Sequence, residues 1–355
     1  MRSPTKGMAR LSFAPRAPEP PVQRAGEVLR TAKEHERAGR LDNAIADFGE
    51  AIQLAEKSGE KPILIEALRR LGVIHQRRNN RDLAAELCRR SYTLADKDGD
   101  RRQAGEALNA LGGFDFDAGE MPAARRHLER AMALAGSSVE LRGRIEQNLG
   151  VLASVQGDTE AAMAHYGRAV QAFEETGSIR DLALVGYNMA LIARAQGQPD
   201  LAASRLAKSA DLAKSQGALH LEGLCHLGQA ESSHERQQFA AAKTSVLRAL
   251  EIFELLDLPL DRSAAHRTLG MVYRETGKSR EAAHQFRRAV KLAEETGWML
   301  GEAEALREMA RLNEQSGCRA EAVTLLTSAY GLFEHVEARN EVADVARRLS
   351  ELAAA

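Results

Sequence analysis

Four arginines near the carboxyl end of the chain have the clearest binding chemistry. Arg267 and Arg274 are seven residues apart and Arg307 and Arg311 are four apart, so each pair falls on one face of a helix. A guanidinium group binds a carboxylate or phosphate through two parallel hydrogen bonds, which predicts a site for an acidic or phosphorylated peptide. A second interpretation is a solvated face on which these arginines pair with glutamates of the same chain. Those glutamates are Glu304, Glu308 and Glu314.

Residue combinations typical of catalysis or metal binding do not stand out. His234-Glu235 is not followed by the second histidine of a zinc-protease helix, and no glycine-rich phosphate loop follows a strand. Cys88, Cys225 and Cys318 lack the spacing of a zinc site. We therefore predict a protein without catalytic residues, metal or cofactor. An odd number of dispersed cysteines also favours a reducing, cytoplasmic location.

These residues belong to a repeating pattern that must position them. In residues 262–297, Leu269 and Tyr273 mark one face of a first helix, Gly277 interrupts the pattern, and Ala282 and Phe286 mark one face of a second helix. The Ala282 position recurs along the chain at a spacing of roughly 40 residues. It is occupied by Ala44, Ala84, Ala124, Ala162, Ala202, Ala242, Ala282 and Ala322. The sequence therefore predicts eight helical hairpins in one register.

Turns and contact positions follow the same register. Residues that accept a left-handed conformation recur between the helices, and Gln237 is the one poor fit. Asp42, Asp158 and Ser279 are predicted to cap second helices. Small residues recur where the two helices of a hairpin meet, which permits an approach of about 8 Å. Those of the first helices are Ala32, Gly72, Gly112, Gly150, Ala190, Ala230, Gly270 and Ala310.

Three segments follow from these patterns. Residues 1–22 form a basic, proline-rich tail that we predict to be disordered, because prolines oppose helix formation and little apolar surface is present to bury. A signal peptide is not expected there; an organelle transit peptide is a weaker alternative. Residues 23–338 form the repeat array. Residues 339–355 carry an apolar helical stripe that includes Val345 and Leu349, which predicts a capping helix.

Composition narrows the possible partners. The formal net charge is -1 and 44% of residues are hydrophobic, but only 4% are aromatic. Such a balanced charge provides no global field toward nucleic acid or an acidic membrane surface, so neither is predicted as a partner. The chain also lacks an apolar run long enough to span a membrane.

The repeats resemble the tetratricopeptide repeat from about Gln23 to the end of the chain. They are longer than the common form and are similar to the long repeats of G-protein-signalling modulators, kinesin light chains and bacterial peptide-sensing regulators. The resemblance implies an all-α fold, a right-handed α-solenoid of about eight hairpins with a C-terminal capping helix. It also implies that the first helices line a concave groove that holds a segment of a partner protein.

The same resemblance places a set of residues in that groove. Amides and small apolar residues dominate its middle, and arginines dominate its carboxyl end. The candidate peptide-binding residues are Asn109, Gln147, Asn148, Tyr187, Asn188, Arg267, Arg274, Arg307 and Arg311, with Arg69, Val73, Arg77, Gly113 and Val151 expected on the same faces. Leu29 and Ala110 stand where a clamp for chaperone tails would need lysine and asparagine, so that type of partner is not expected.

Asn148 and Asn188 occupy equivalent positions in consecutive repeats. In some members of the family such asparagines hold a partner's backbone through the donor and acceptor of the amide. The alternative is that each amide bonds to a neighbouring helix or to water, since the flanking repeats carry Ala110 and Gly228 instead. Both interpretations remain open from the sequence.

These observations predict a non-catalytic scaffold, adaptor or regulator that binds a peptide segment of a partner protein. The alternative is a self-assembly module, in which the cap or an apolar surface pairs with a second copy. An enzyme and a stand-alone DNA-binding protein fit the sequence poorly, because every helical pair is used by the solenoid and no separate recognition domain remains.

Overall fold

The computed structural model describes residues 21–354. Within that range the chain forms seventeen α-helices and no strands. Residues 1–20 of the predicted tail lie outside the described residues, and α1 begins at Pro21. The helices are α1 (Pro21–Arg37), α2 (Leu41–Ser58), α3 (Lys61–Arg77), α4 (Arg81–Asp98), α5 (Arg101–Asp117), α6 (Met121–Ala135), α7 (Val139–Val155), α8 (Thr159–Thr176), α9 (Ile179–Ala195), α10 (Pro199–Ser215), α11 (Leu219–Glu235), α12 (Phe239–Leu255), α13 (Pro259–Glu275), α14 (Ser279–Thr296), α15 (Met299–Gln315), α16 (Arg319–His335) and α17 (Arg339–Ala354).

The helices pair in chain order. Each odd-numbered helix from α1 to α15 packs against the even-numbered helix that follows it, and that helix packs against the next odd-numbered one. The result is eight stacked hairpins, which confirms the predicted all-α solenoid. Helix α17 packs on α16 and buries Val345 in a cluster with Leu326 and Phe333.

Small residues in the first helices are required by the side chains that face them. A Cβ atom added at Gly150 would lie 2.5 Å from the ring of Tyr166, and one added at Gly270 would lie 2.6 Å from the ring of Phe286. Contacts that short would force a shift of a buried ring, because protein interiors have few voids to absorb it. The recurring glycines therefore allow a large second-helix side chain to pack against the first-helix backbone.

The turns confirm the predicted left-handed positions, and they include residues other than glycine. Asn79 and Gln237 adopt φ angles of 61° and 60°. Gln237 was the poorest match to the pattern, but its place in the turn imposes the conformation. The capping predictions were correct only for Asp158, which accepts a hydrogen bond from the Ala161 N–H at 3.0 Å. Asp42 and Ser279 lie inside α2 and α14, so they cannot fill the position before the first turn.

Contacts between distant repeats close the superhelix on itself. Arg78 pairs with Asp257 at 3.1 Å, and Asn79 Nδ2 donates to the Glu295 carbonyl at 2.9 Å. Farther along, Gln156 Nε2 donates to Glu337 Oε2 at 2.7 Å. The turns of early repeats thus lie against the ends of repeats four or five units later. This closure brings the first helices of opposite repeats close to one another.

Candidate functional site

A cavity of about 400 Å³ opens among the first helices of repeats two to four, α3, α5 and α7. We call it the central cavity. Most of the groove residues expected in repeats two to four line it together: Arg69, Val73, Arg77, Asn109, Gly113, Asn148 and Val151. They converge because residues at equivalent positions of stacked first helices share one face.

An amide pair stands in the wall of the central cavity. Asn148 Nδ2 donates to Asn109 Oδ1 at 2.9 Å, so the two asparagines of α5 and α7 hold each other in place. Each amide carries two donors and an acceptor with two lone pairs, so this single bond leaves capacity on both side chains. The other two amide atoms, Asn109 Nδ2 and Asn148 Oδ1, have no hydrogen-bond partner within residues 21–354. The pair therefore offers one donor group and one acceptor, which is what a peptide backbone needs.

An ion network fixes the charged rim of the central cavity. Arg69 lies 3.0 Å and Arg144 lies 3.6 Å from Glu106 Oε2, whose side chain is only 10% exposed. Burial lowers the pKa of Arg69, and the nearby Glu106 carboxylate opposes that shift. Burial also acts to lower the pKa of Arg144, but Asp181 and Glu106 raise it overall. Both guanidinium groups therefore remain charged and fixed beside the amide pair.

Much of the remaining lining of the central cavity is apolar. Val73, Val151 and Leu152 contribute aliphatic surface, and Phe114 and Phe116 contribute aromatic surface. Gly113 faces open space, since a Cβ atom placed there would meet no atom within 4 Å. A cavity with apolar walls and a few convergent polar groups is the usual form of a ligand site.

Asp117 lies at the end of α5 in this lining and was missed by the sequence analysis. It accepts a hydrogen bond from Gln76 Nε2 at 3.0 Å. Burial raises the pKa of Asp117 to about 6, while the Gln76 hydrogen bond and Arg81 act to lower it, and the negative charge of Asp261 raises it further. Asp261 belongs to α13, four repeats away from α5. A sequence signal for this residue does not exist, because its environment depends on closure of the superhelix.

Three other predicted residues lie outside the central cavity. Gln147 is buried in α7, and its Oε1 atom has no hydrogen-bond partner in the described part of the chain. Tyr187 packs among apolar residues that include Leu206 and Cys225, and burial raises the pKa of its hydroxyl. Asn188 is half-buried in α9 and does not join the amide pair. The partner of Asn148 in the structure is Asn109, which precedes it by one repeat.

The four C-terminal arginines lie next to carboxylates of the protein itself. Arg267 sits between Glu231 at 3.1 Å and Glu304 at 3.3 Å. Arg274 contacts Glu308 at 2.6 Å, and both of these side chains are almost completely buried.

The other two arginines converge on the same glutamate. Arg311 contacts Glu308 at 2.7 Å. Arg307 Nε lies 4.0 Å from Glu308 Oε1, and its guanidinium group lies over the Phe333 ring, 5.3 Å from the ring centroid. Burial acts to raise the pKa of Glu308, but Arg311 and Arg274 lower it overall. The structure therefore pairs these arginines with glutamates, as in the second interpretation, although Arg274 is buried and Arg267 is largely shielded from solvent.

Metal-ligand clusters and membrane-spanning helices are both absent from residues 21–354. No group of three or more histidine, cysteine, aspartate or glutamate side chains is arranged to hold a metal ion there. In the same range, no helix combines the length and apolar character needed to cross a membrane.

Eight stacked hairpins with a ligand-sized cavity on the first helices define an α-solenoid of the repeat-protein class. Family models described as tetratricopeptide repeat match residues 32–97 and residues 267–296. The chain therefore contains tetratricopeptide repeats. No curated protein matches the sequence at a significant level.

Solved structures with the same fold are distant in sequence. A Rap protein complexed with competence and sporulation factor is similar at a TM-score of 0.57 and 14% identity, over 93% of this chain and 98% of that one. NprR in complex with its cognate peptide NprX is similar at a TM-score of 0.56 and 17% identity, over 71% of this chain and 72% of that one. The Cut9–Hcn1 hetero-tetramer of the APC/C gives a TM-score of 0.58 and 14% identity, with 90% and 55% covered. At these identities the likeness shows the fold alone.

Proposed function

We propose that this protein is a non-catalytic scaffold or regulator that binds a peptide segment of a partner protein in the central cavity. The observation that carries the proposal is the Asn109–Asn148 pair, which presents a free donor and a free acceptor beside apolar walls. The similar structure of NprR was solved with a peptide, which supports this class of ligand for the fold.

Each wall of the central cavity would recognise a different part of a peptide. The amide pair would bind one backbone N–H and one backbone carbonyl, which are obligatory hydrogen-bonding groups of any peptide. Val73, Val151 and the empty space at Gly113 would accept an apolar side chain. Arg69 and Arg144 are held by Glu106 and would orient the peptide through its polar groups. This division gives binding through the backbone and selectivity through one side chain.

The location we propose is the cytoplasm. Cys88, Cys225 and Cys318 are all free thiols, and Cys318 is exposed. Burial raises the pKa of both Cys88 and Cys225 to about 12, so these two thiols are protonated and inert at neutral pH. A reducing compartment suits an exposed free thiol of this kind.

Selection from a displayed random-peptide library tests the proposed function. The expected result is that peptides selected on the wild-type protein bind about fivefold to about 150-fold more weakly to Asn109→Ala/Asn148→Ala, because the two hydrogen bonds together contribute roughly 1–3 kcal/mol. The matched control is Asn188→Ala, an asparagine of α9 outside the cavity, which should bind like the wild type.

A second variant tests the proposed site by filling the central cavity. Gly113→Leu places a side chain in the empty space on α5, so it should abolish binding of the same peptides while the circular dichroism spectrum stays helical. Unchanged binding by both the asparagine double variant and Gly113→Leu would overturn the proposed site. The self-assembly alternative stays a prediction, and light scattering over a range of protein concentrations tests it.

A further inference from the structure

Three arginines surround a space next to the central cavity. Arg37 ends α1, Arg77 ends α3, and Arg180 is the second residue of α9. All three line one small cavity, and Arg37 and Arg180 also line an adjoining polar cavity of about 440 Å³. We call these three residues the arginine pocket. Arg37 and Arg77 occupy equivalent repeat positions 40 residues apart, whereas only closure of the superhelix brings Arg180 to them.

The arginine pocket lacks ion pairs of its own. Among residues 21–354, none of these three guanidinium groups lies within 4.0 Å of a carboxylate oxygen. The neighbouring arginines differ, since Arg70 contacts Glu36 at 2.9 Å and Arg144 contacts Glu140 at 2.6 Å. Three cations without a carboxylate partner therefore lie together in the arginine pocket.

The charge balance around the arginine pocket is positive. The two adjoining cavities are lined by five arginines and three carboxylates, which leaves an excess of two positive charges. The arginines are Arg37, Arg70, Arg77, Arg144 and Arg180, and the acids are Glu36, Glu140 and Asp181. Two glutamates outside this lining also touch its arginines, but each has another cation: Glu66 has Lys33 at 2.9 Å and Glu106 has Arg69 at 3.0 Å.

Placing these charges together costs the fold free energy. Burial lowers the pKa of Arg180, and the positive charge of Arg77 lowers it further, although Glu36 and Asp181 act in the opposite direction. The start of α9 adds to the positive potential, because Ser178 donates its hydroxyl to Asp181 at 2.8 Å and does not cap the helix. A cluster that opposes stability in this way is typical of a binding site.

We propose that Arg37, Arg77 and Arg180 bind an oxyanion group that carries two negative charges, such as a phosphate group or two adjacent carboxylates. Guanidinium groups bind such anions through charge-assisted hydrogen bonds, and an excess of two positive charges matches a dianion. Arg77 also lines the central cavity, and Arg144 lines both the central and the polar cavity. A peptide in the central cavity can therefore place its own anionic group in the arginine pocket. Binding of such a peptide rests on the proposed function, whereas binding of a free anion does not.

Inorganic phosphate tests the arginine pocket without any peptide. The melting temperature of the full chain is measured at pH 7.5 in sodium phosphate and in sodium chloride of equal ionic strength. Phosphate should raise the melting temperature of the wild-type protein, because a ligand that binds only the folded state stabilises it by mass action. Arg77→Gln/Arg180→Gln should need at least about tenfold more phosphate for the same rise.

The matched control is Arg280→Gln, which removes an exposed arginine of α14 that makes no ion pair in the described part of the chain. It should keep the full phosphate effect. In chloride buffer, the melting temperature of Arg180→Gln should be no lower than that of the wild type. This result would show that the variant folds and that Arg180 is not needed for stability. An equal phosphate effect in the wild type and the double variant, or no effect in the wild type, would overturn the proposal.

Competition then identifies the source of the anion. If the anionic group belongs to the peptide, saturating phosphate and Arg180→Gln should each weaken binding of acidic or phosphoserine-containing peptides from the library, but not of neutral ones. If the site holds a free anion, phosphate should leave peptide binding unchanged. Failure to select any peptide would count against the proposed function, while the melting experiment would still decide the arginine pocket.

Discussion

Two arginine-rich regions of the same concave surface use their charges differently. Near the carboxyl end, Arg274 and Arg311 share Glu308, whose side chain is 2% exposed. Toward the amino-terminal side, Arg77 and Arg180 line a small cavity, and neither guanidinium group has a carboxylate partner of its own. The residue types are the same, but the protein supplies the anions in the first region only. Arginine clusters therefore indicate binding only where internal carboxylates do not already pair with them.

Among the variants that test this comparison, Glu308→Gln should change the free energy of unfolding most. Loss of the carboxylate leaves Arg274 buried without a counter-charge, so we expect the free energy of unfolding to fall by about 3–5 kcal/mol. Chemical denaturation at pH 7 measures it. Glu351→Gln is the matched control, because Glu351 pairs with Arg348 at the surface and should change stability by less than about 1 kcal/mol. A small effect of Glu308→Gln would mean that the C-terminal region is not held together by its own ion pairs.

The pKa of Glu308 gives the same comparison a pH dependence. Its pKa is lowered in the folded state, so the stabilisation is present above the ordinary glutamate pKa and is lost as the pH falls below it. The wild-type protein should therefore lose more stability between pH 5 and pH 3 than Glu308→Gln does. Denaturation curves at several pH values would detect the difference, and parallel pH profiles would contradict it.

Asp117→Asn tests an uncompensated charge in the amino-terminal region. The pKa of Asp117 is raised to about 6, so its contribution to stability is present at low pH and is lost as the pH rises from about 4 through 6. We expect the variant to be more stable than the wild type by about 1–2 kcal/mol at pH 7, and the difference to vanish below about pH 4. A thermal-melting series from pH 4 to pH 7.5 measures it. A pH-independent difference would show that the carboxylate charge is not responsible.

Adjacent glycines of α5 test whether the central cavity is open space. Gly113→Ala should raise the free energy of unfolding by about 0.5–1 kcal/mol, because alanine favours the helix and its Cβ meets no atom within 4 Å. Gly112→Ala should lower it by about 1–3 kcal/mol, because its Cβ would lie 2.9 Å from the buried Leu128. Urea denaturation of both variants measures the two changes. Effects of the same sign would contradict the packing described for this wall.

The smallest expected effect belongs to a surface arginine. Arg348 of the capping helix is 47% exposed and pairs with Glu314 of α15 and with Glu351 of its own helix. Arg348→Gln should change the free energy of unfolding by less than about 1 kcal/mol, because solvent and salt screen exposed pairs. The same measurement in 1 M sodium chloride should remove the remaining difference. A loss as large as that of Glu308→Gln would erase the distinction between buried and exposed pairs.

Part of the candidate site was accessible from the sequence. Asn109, Gly113 and Asn148 were expected on one groove face, and they line one cavity because equivalent positions of stacked helices point to the same side. The partner of Asn148 was not predictable, since Asn109 and Asn188 both lie about one repeat away. Their separation depends on small rotations between repeats that no residue pattern specifies.

The sequence alone determined the local architecture. A repeat of roughly 40 residues, with small residues such as Gly150 facing large ones such as Tyr166, specifies how each hairpin packs within itself and against the next. The tertiary structure decided which distant repeats meet. Rotations accumulate along the array until Arg180 of α9 lies beside Arg37 and Arg77, and Asp261 lies near Asp117. Each rotation is set by the summed packing of a whole interface, so the positions that meet across the superhelix follow from the assembled array and not from any single repeat.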